Sequence, residues 1–158
     1  MRVNIYTDGA CSGNPGKGGY GIIMEWAGKS YRKEFSKGFR KTTNNRMELL
    51  AVIVALENLK KEGLDVVVYS DSKYVVDSVE KGWVFNWQKK GYTGKKNSDL
   101  WQRFLKLYRL HNLKFVWIKG HNEHPQNERC DQLAVQAYQG KDLAVDRGFE
   151  ALDEGLLL

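Results

Sequence analysis

Apolar and polar residues change their period several times along this chain, and each change marks an element. Val3, Ile5 and Thr7 alternate with Asn4, Tyr6 and Asp8, the two-residue period of a strand, and the Asp8-Gly9 turn signal is expected to end it. A glycine-rich loop over residues 9–19 is expected to lead into a second strand at 20–26. Beyond Ala27-Gly28, Tyr31, Lys33 and Phe35 alternate with Arg32, Glu34 and Ser36, which predicts a third strand over 30–37 and an antiparallel meander. From Asn45 the period lengthens. Met47, Leu50, Val54 and Leu59 recur at helical spacing, and Gly63 is the stop signal. The next run, LDVVVYS at 64–70, is mostly apolar and reads as a strand buried on both faces.

Residues 72–81 predict a short helix, 82–97 an irregular basic segment, and 98–110 a helix with Leu100, Phe104 and Leu107 inward. KFVWIK at 114–119 predicts a fifth strand, and 127–138 a last helix. Strands one, four and five are each reached through a helical crossover and should run parallel, with strands two and three as an antiparallel edge. The fold class is therefore α/β, a five-stranded mixed sheet with flanking helices. The length, 158 residues, suits one folding unit over 1–140 and a weakly periodic tail over 141–158 that is expected to be loosely held, with packing back onto the body as the alternative.

Charge adds a partner class. The net charge is +6, but the last eighteen residues hold five acids and two bases, which leaves the body near +9 and suited to a polyanion. No apolar run is long enough to span a membrane and MRVNIYTDGA lacks the apolar core of a signal peptide, so a cytoplasmic protein with reduced Cys11 and Cys130 is expected. Two motifs mislead. Gly16, Gly18 and Gly21 satisfy G-x-G-x-x-G, yet IIMEW after them is a strand where a dinucleotide site needs a helix. His121, His124 and Cys130 match no closed four-ligand zinc spacing.

In an α/β sheet, chemistry gathers at the carboxyl ends of the parallel strands, and acids stand there. Asp8 ends strand one, Asp71 follows strand four, Glu48 lies in the first turn of the long helix, and Asp131 lies early in the last helix. Singly, each has a structural explanation: a turn at Asp8, a helix cap at Asp71, a capping box of Glu48 with Asn45, a helix N-terminus for Asp131. Together they would repel one another unless a cation joined them. Hard oxygen ligands without a thiol favour Mg²⁺, with Mn²⁺ as a substitute, and two such ions in a carboxylate cluster point to phosphodiester hydrolysis.

These residues sit in stretches that resemble the bacterial type 1 ribonuclease H family: YTDGACSGNPGKGGYG, TTNNRMELLAVIVALENL, VYSDSKYV, NSDLWQ and KGHNEHPQNERCDQLA, in that order over about residues 3–138. The resemblance implies a ribonuclease H-like fold and an endonuclease that cuts the RNA strand of RNA–DNA hybrids, leaving 5′-phosphate and 3′-hydroxyl ends. It implies that Asp8, Glu48, Asp71 and Asp131 hold two Mg²⁺ ions and that His121 assists proton transfer or product departure. A hybrid-binding module without catalysis is the rival reading, and the presence of all four carboxylates argues against it.

Five lysines and no acid lie between Lys81 and Lys96, interleaved with Trp83, Phe85, Trp87 and Tyr92, a composition suited to phosphates and stacked bases or sugars. The alternative is that Trp83 and Trp87, four apart, form one core face of a short helix. The segment, including Lys89 and Lys90, resembles the family's basic protrusion, with Trp83 and Trp87 in its DNA-strand channel. Asn14, Asn44 and Asn45 offer amides to 2′-hydroxyls, with turn and cap duty as the alternative. Family likeness adds Cys11 to them on the RNA strand and implies a DNA-phosphate pocket of Thr43, Asn97 and Lys41. There Lys41 gives a point charge where an arginine is common. Lys73 stands where glutamine is frequent. The expected partner is a hybrid duplex, without membrane or small-molecule cofactor, and a monomer is the default.

Overall fold

The computed structural model describes residues 2–119 and 124–153, so His121 lies outside the described residues. The first strand, β1 (Arg2–Ser12), pairs antiparallel with β2 (Gly16–Trp26), which pairs antiparallel with β3 (Arg32–Thr42). On its other side β1 runs parallel to β4 (Asp65–Ser70), and β4 parallel to β5 (Asn112–Trp117). The order β3-β2-β1-β4-β5 is the expected five-stranded mixed sheet. No described helix is long and apolar enough to cross a membrane.

Glycines 9 to 19 do not form the expected loop. Strand β1 continues through Asp8-Gly9 to Ser12, and only residues 13–15 connect it to β2. The glycines serve close approach instead. A Cβ on Gly21 would lie 2.1 Å from the Cys130 carbonyl oxygen, and one on Gly19 would lie 2.5 Å from that of Ala134. Both carbonyls belong to the last long helix, α5 (Pro125–Gln139), which lies on this face of the sheet. Tyr20, Ile22 and Met24 alternate with these glycines and enter the main core on the opposite face.

That core is closed by α1 (Asn44–Glu57), in which Arg46 to Ile53 are buried without a break. A helix apolar nearly all round must lie inside, and α1 is flanked by the sheet and by α4 (Ser98–Tyr108). It ends before Gly63, because Asn58 takes the C-cap position and its amide Nδ2 donates to the Val54 carbonyl at 2.7 Å. Between β4 and α4 lie α2 (Lys73–Glu80) and α3 (Trp83–Lys89). The expectation of an irregular segment at 82–97 is therefore corrected over its first half. Val84 is buried, Phe85 meets Tyr108 and Trp87 meets Trp101 at 5.2 and 5.9 Å between ring centroids, so aromatic packing orders the helix.

The described part of the tail follows the alternative and is not loosely held. Residues 141–153 pack back on the body: Ala144 bridges to Phe39 on β3, Asp146 is buried against Arg46, and α6 (Arg147–Asp153) follows. Acids in the tail answer arginines on the body, a long-range match that periodicity does not reveal.

Candidate active site

Strand β1 delivers Asp8, paired with Gly21, to the end of the sheet where the glycine stripe admits α5. A Cβ on Gly9 would lie 2.5 Å from the Glu48 backbone nitrogen, so glycine here lets α1 close directly over β1. The Gly9 N–H donates to Asp8 Oδ1 at 2.9 Å and also to Glu48 Oε1. One carboxylate oxygen from each of Asp8, Glu48 and Asp71 lies within 4.8 Å of the others. Asp131, from the second turn of α5, lines the same cavity of about 410 Å³.

The structural explanations for these acids do not hold. Asp8 is inside a strand, not in a turn. The cap of α1 is Thr43, whose hydroxyl accepts from Arg46 N at 3.3 Å, which leaves Glu48 outside any capping box. Helix α2 is capped by Ser72, accepting from Val75 N at 3.2 Å, and not by Asp71. Asp131 lies beyond the first turn of α5, where the macrodipole is no longer felt.

Burial makes the cluster costly. It pushes the Asp8 carboxyl up to about 7, with its hydrogen bond to the Glu48 side chain pulling it part of the way back and the charges of Asp71 and Asp131 adding to the rise. Glu48 is held well above the carboxylate range by its own burial first and by the Asp8 charge next. A cation fits this arrangement: the donors are hard oxygens, and Glu48 Oε2 is buried without a hydrogen-bond partner among the described residues.

The same pKa shifts set a pH dependence. The folded protein keeps protons on Asp8 and Glu48 that the unfolded chain releases above about pH 4. In chelator, the stability contributed by these protons is lost as pH rises from about 4 toward 7. Acids with lowered pKa, Glu34, Asp99 and Glu150, lose their contribution only as pH falls below the ordinary carboxylate range, so the two effects occupy different windows. Melting in chelator should therefore show a falling midpoint over pH 5–7, and added Mg²⁺ should reverse it with release of protons. A midpoint flat across that range would contradict the raised pair.

The other expected residues are distributed around this cavity. Asn44 and Asn45 line it, and Asn44 N donates to Asn14 Oδ1 at 3.1 Å, which joins three of the four RNA-strand candidates. Cys11 is half-buried, its thiol directed to the Gly16 and Thr42 carbonyls. Thr43, Asn45 and Asn97 line a second depression of about 440 Å³ with Lys96. Lys41 is exposed on β3 and does not line that depression; the Glu150 carboxylate is held below its ordinary range by Arg40 first, with Lys41 adding a smaller part. Trp83 is 43% exposed with the Lys81 ammonium over its ring at 5.4 Å, whereas Trp87 is half-buried on Trp101 with Lys95 over it. Lys89 and Lys90 are exposed at the end of α3. Cys130 packs beneath β1 with its thiol on the Tyr6 carbonyl.

Tyr74 is a lining residue that the sequence did not single out. It faces the cavity, and its hydroxyl accepts from Asn97 Nδ2 at 3.1 Å and Trp101 Nε1 at 2.8 Å. Its place in VYSDSKYV, three residues after Asp71, was the available signal. Lys73 lies at the rim with its ammonium 4.9 Å from the centre of the Trp117 ring.

Comparison with known proteins now adds to the geometry. The family profile for RNase H matches residues 1–139. The chain belongs to the ribonuclease H family. It is similar to the ribonuclease H of Desulforamulus reducens, with 57% identity over 150 residues covering 92% of each chain. Among solved structures it is similar to LC9-RNase H1, a type 1 RNase H with the type 2 active-site motif, with TM-score 0.78 and 33% identity over 96% of this chain and 80% of that one. It is also similar to LC11-RNase H1 in complex with an RNA/DNA hybrid, with TM-score 0.64 and 30% identity over 87% of this chain and 96% of that one. The resemblance carried by the motifs and the enzyme class it implied, ribonuclease H, are both borne out.

Proposed function

We propose that this protein hydrolyses the RNA strand of RNA–DNA hybrids with two divalent ions, leaving 5′-phosphate and 3′-hydroxyl ends. The observation that carries the reading is the convergence of Asp8, Glu48 and Asp71, with Asp131 across the same cavity, in a chain of the ribonuclease H family. The hybrid-bound relative supports the substrate class.

Asp8, Glu48, Asp71 and Asp131 would hold Mg²⁺, or Mn²⁺ in its place. When bound, such ions polarise the scissile phosphate, favour ionised water as nucleophile and neutralise charge on the leaving oxygen. The chain's own contribution is rigidity and position. Gly9 N–H fixes one oxygen each of Asp8 and Glu48, so the ligands are set by backbone and not by mobile side chains. Asn14, Asn44 and Asn45, with Cys11 beside them, would present donors and acceptors to the 2′-hydroxyls of the RNA strand, which DNA lacks. Thr43 and Asn97 would take a phosphate of the DNA strand, with Lys41 adding charge. Trp83, Trp87, Lys89 and Lys90 would supply affinity farther along that strand. His121 is given a part in proton transfer or product departure on family likeness alone. A cytoplasmic monomer without a small-molecule cofactor completes the proposal.

The end chemistry has a direct test. Hydrolysis of a hybrid in ¹⁸O-water should place the heavy oxygen on the 5′-phosphate of the downstream RNA fragment, read by mass spectrometry. Heavy oxygen on a 3′-phosphate, or a cyclic phosphate without label, would overturn the mechanism.

A further inference from the structure

Residues 143–152 lie beyond the segment that the family profile matches, yet they are firmly seated. Ala144 N donates to the Gly38 carbonyl and Arg40 N to the Ala144 carbonyl, both at 2.9 Å. Asp146 then turns inward and is 7% exposed. Its Oδ2 accepts from Thr42 Oγ1 at 2.6 Å and Arg46 Nε at 2.8 Å, and its Oδ1 accepts from Arg46 Nη2 at 3.0 Å and Phe149 N at 3.3 Å. The last of these bonds starts α6. Gly148 passes so close to the Arg46–Asp99 pair that a Cβ on it would lie 2.1 Å from Asp99 Oδ2. On the outer side, Glu150 takes two nitrogens of Arg40 at 2.9 and 2.7 Å. A helix of seven residues is too short to hold itself in water, and these anchors fix it from several sides.

Their effect is to set α6 along the depression that contains Thr43, Lys96 and Asn97, with Phe149 and Leu152 as an apolar wall. Asn45 lines both this depression and the carboxylate cavity, so the two adjoin. Leu152 is 53% exposed there. The network that seats α6 also reaches the polar wall, because Arg46 Nη1 donates to Asn97 Oδ1 at 3.3 Å. Asn97 has φ +64°, a left-handed conformation that a non-glycine residue keeps only when its surroundings hold it.

We propose that the C-terminal segment is a further part of the nucleic-acid groove, in which Phe149 and Leu152 pack against a sugar of the strand whose phosphate meets Thr43, Lys96 and Asn97. This rests on the reading of the groove as a hybrid site. A nucleic-acid strand alternates charged phosphates with less polar sugars, and the groove sets cationic and amide donors opposite an apolar wall in the same way. Contacts of this kind position a duplex without reading its sequence.

The test exploits the exposure of Leu152, where a charge can be introduced without disturbing the core. Leu152→Lys and Leu152→Glu are compared with the parent for binding to a labelled hybrid in chelator, over a range of salt, with melting measured alongside. The lysine variant should bind several-fold more tightly at low salt, with a salt dependence steeper by about 0.9 for one added phosphate contact. The glutamate variant should bind several-fold more weakly. Opposite shifts with unchanged melting are the expected result. A parent that binds hybrid while both variants match it, or shift in the same direction, overturns the proposal alone. A parent that binds no hybrid overturns the underlying reading and the proposal with it.

Discussion

Asp8→Asn is expected to reduce hybrid cleavage in Mg²⁺ by more than about 100-fold, the upper end of what is lost when only the support of a metal ligand is removed. Asparagine keeps the shape and can still accept the hydrogen bond from Gly9 N–H, but it is a neutral and poorer ligand for a hard cation. Hybrid binding in chelator should survive, because the lysines and amides that meet the phosphates lie elsewhere. The metal-free protein should become more stable. Asp8 is buried beside Glu48 and feels Asp71 and Asp131, so above pH 7 the parent carries a repulsion that the variant lacks. Relief on the order of 1 kcal/mol would raise the melting point by roughly 2–4 °C for a domain of this size. Cleavage at the parental rate would remove Asp8 from the metal site. A fall of several degrees in the midpoint would make Asp8 a structural residue.

Arg46→Ala should cost the fold about 3–5 kcal/mol, the usual result of removing one member of a buried ionic network. Arg46 is 3% exposed and spans Asp146 at 2.8 Å, Asp99 at 2.7 Å and Asn97 at 3.3 Å. Without it, Asp146 keeps only the Thr42 hydroxyl and the Phe149 N–H, too little for a buried carboxylate. Chemical denaturation measures the loss, and Arg46→Lys should recover only part of it, because an ammonium offers a single nitrogen where the guanidinium meets each carboxylate with two. A loss under about 1 kcal/mol would place the network among ordinary surface ion pairs.

The two substitutions mark what the sequence made legible. Strand order, parallel crossovers and the four acids could be read because each depends on local period or on where a strand ends. The acids became a site in the reading only through their joint placement, and the structure removes the capping duties that each could have had alone. The extent of β1 and β2 was hidden for a physical reason. The glycines up to Gly19 look like turn residues, but Gly19 is there because α5 lies on the strand, a contact more than one hundred residues distant in sequence. Helix α3 was legible only as the alternative carried by the four-residue spacing of Trp83 and Trp87, because its order comes from Trp87 on Trp101 and Phe85 on Tyr108, not from its own short pattern. The seat of the tail rests on Asp146 meeting Arg46, a pairing that neither composition nor periodicity can reveal.

Cleavage of one sequence prepared as RNA–DNA hybrid, double-stranded RNA and double-stranded DNA, each end-labelled on both strands and incubated with Mg²⁺ or with chelator, tests the account most directly. The prediction is fragments from the RNA strand of the hybrid alone, in Mg²⁺ alone. Cutting of either homoduplex at a comparable rate, or of the hybrid in chelator, would contradict it.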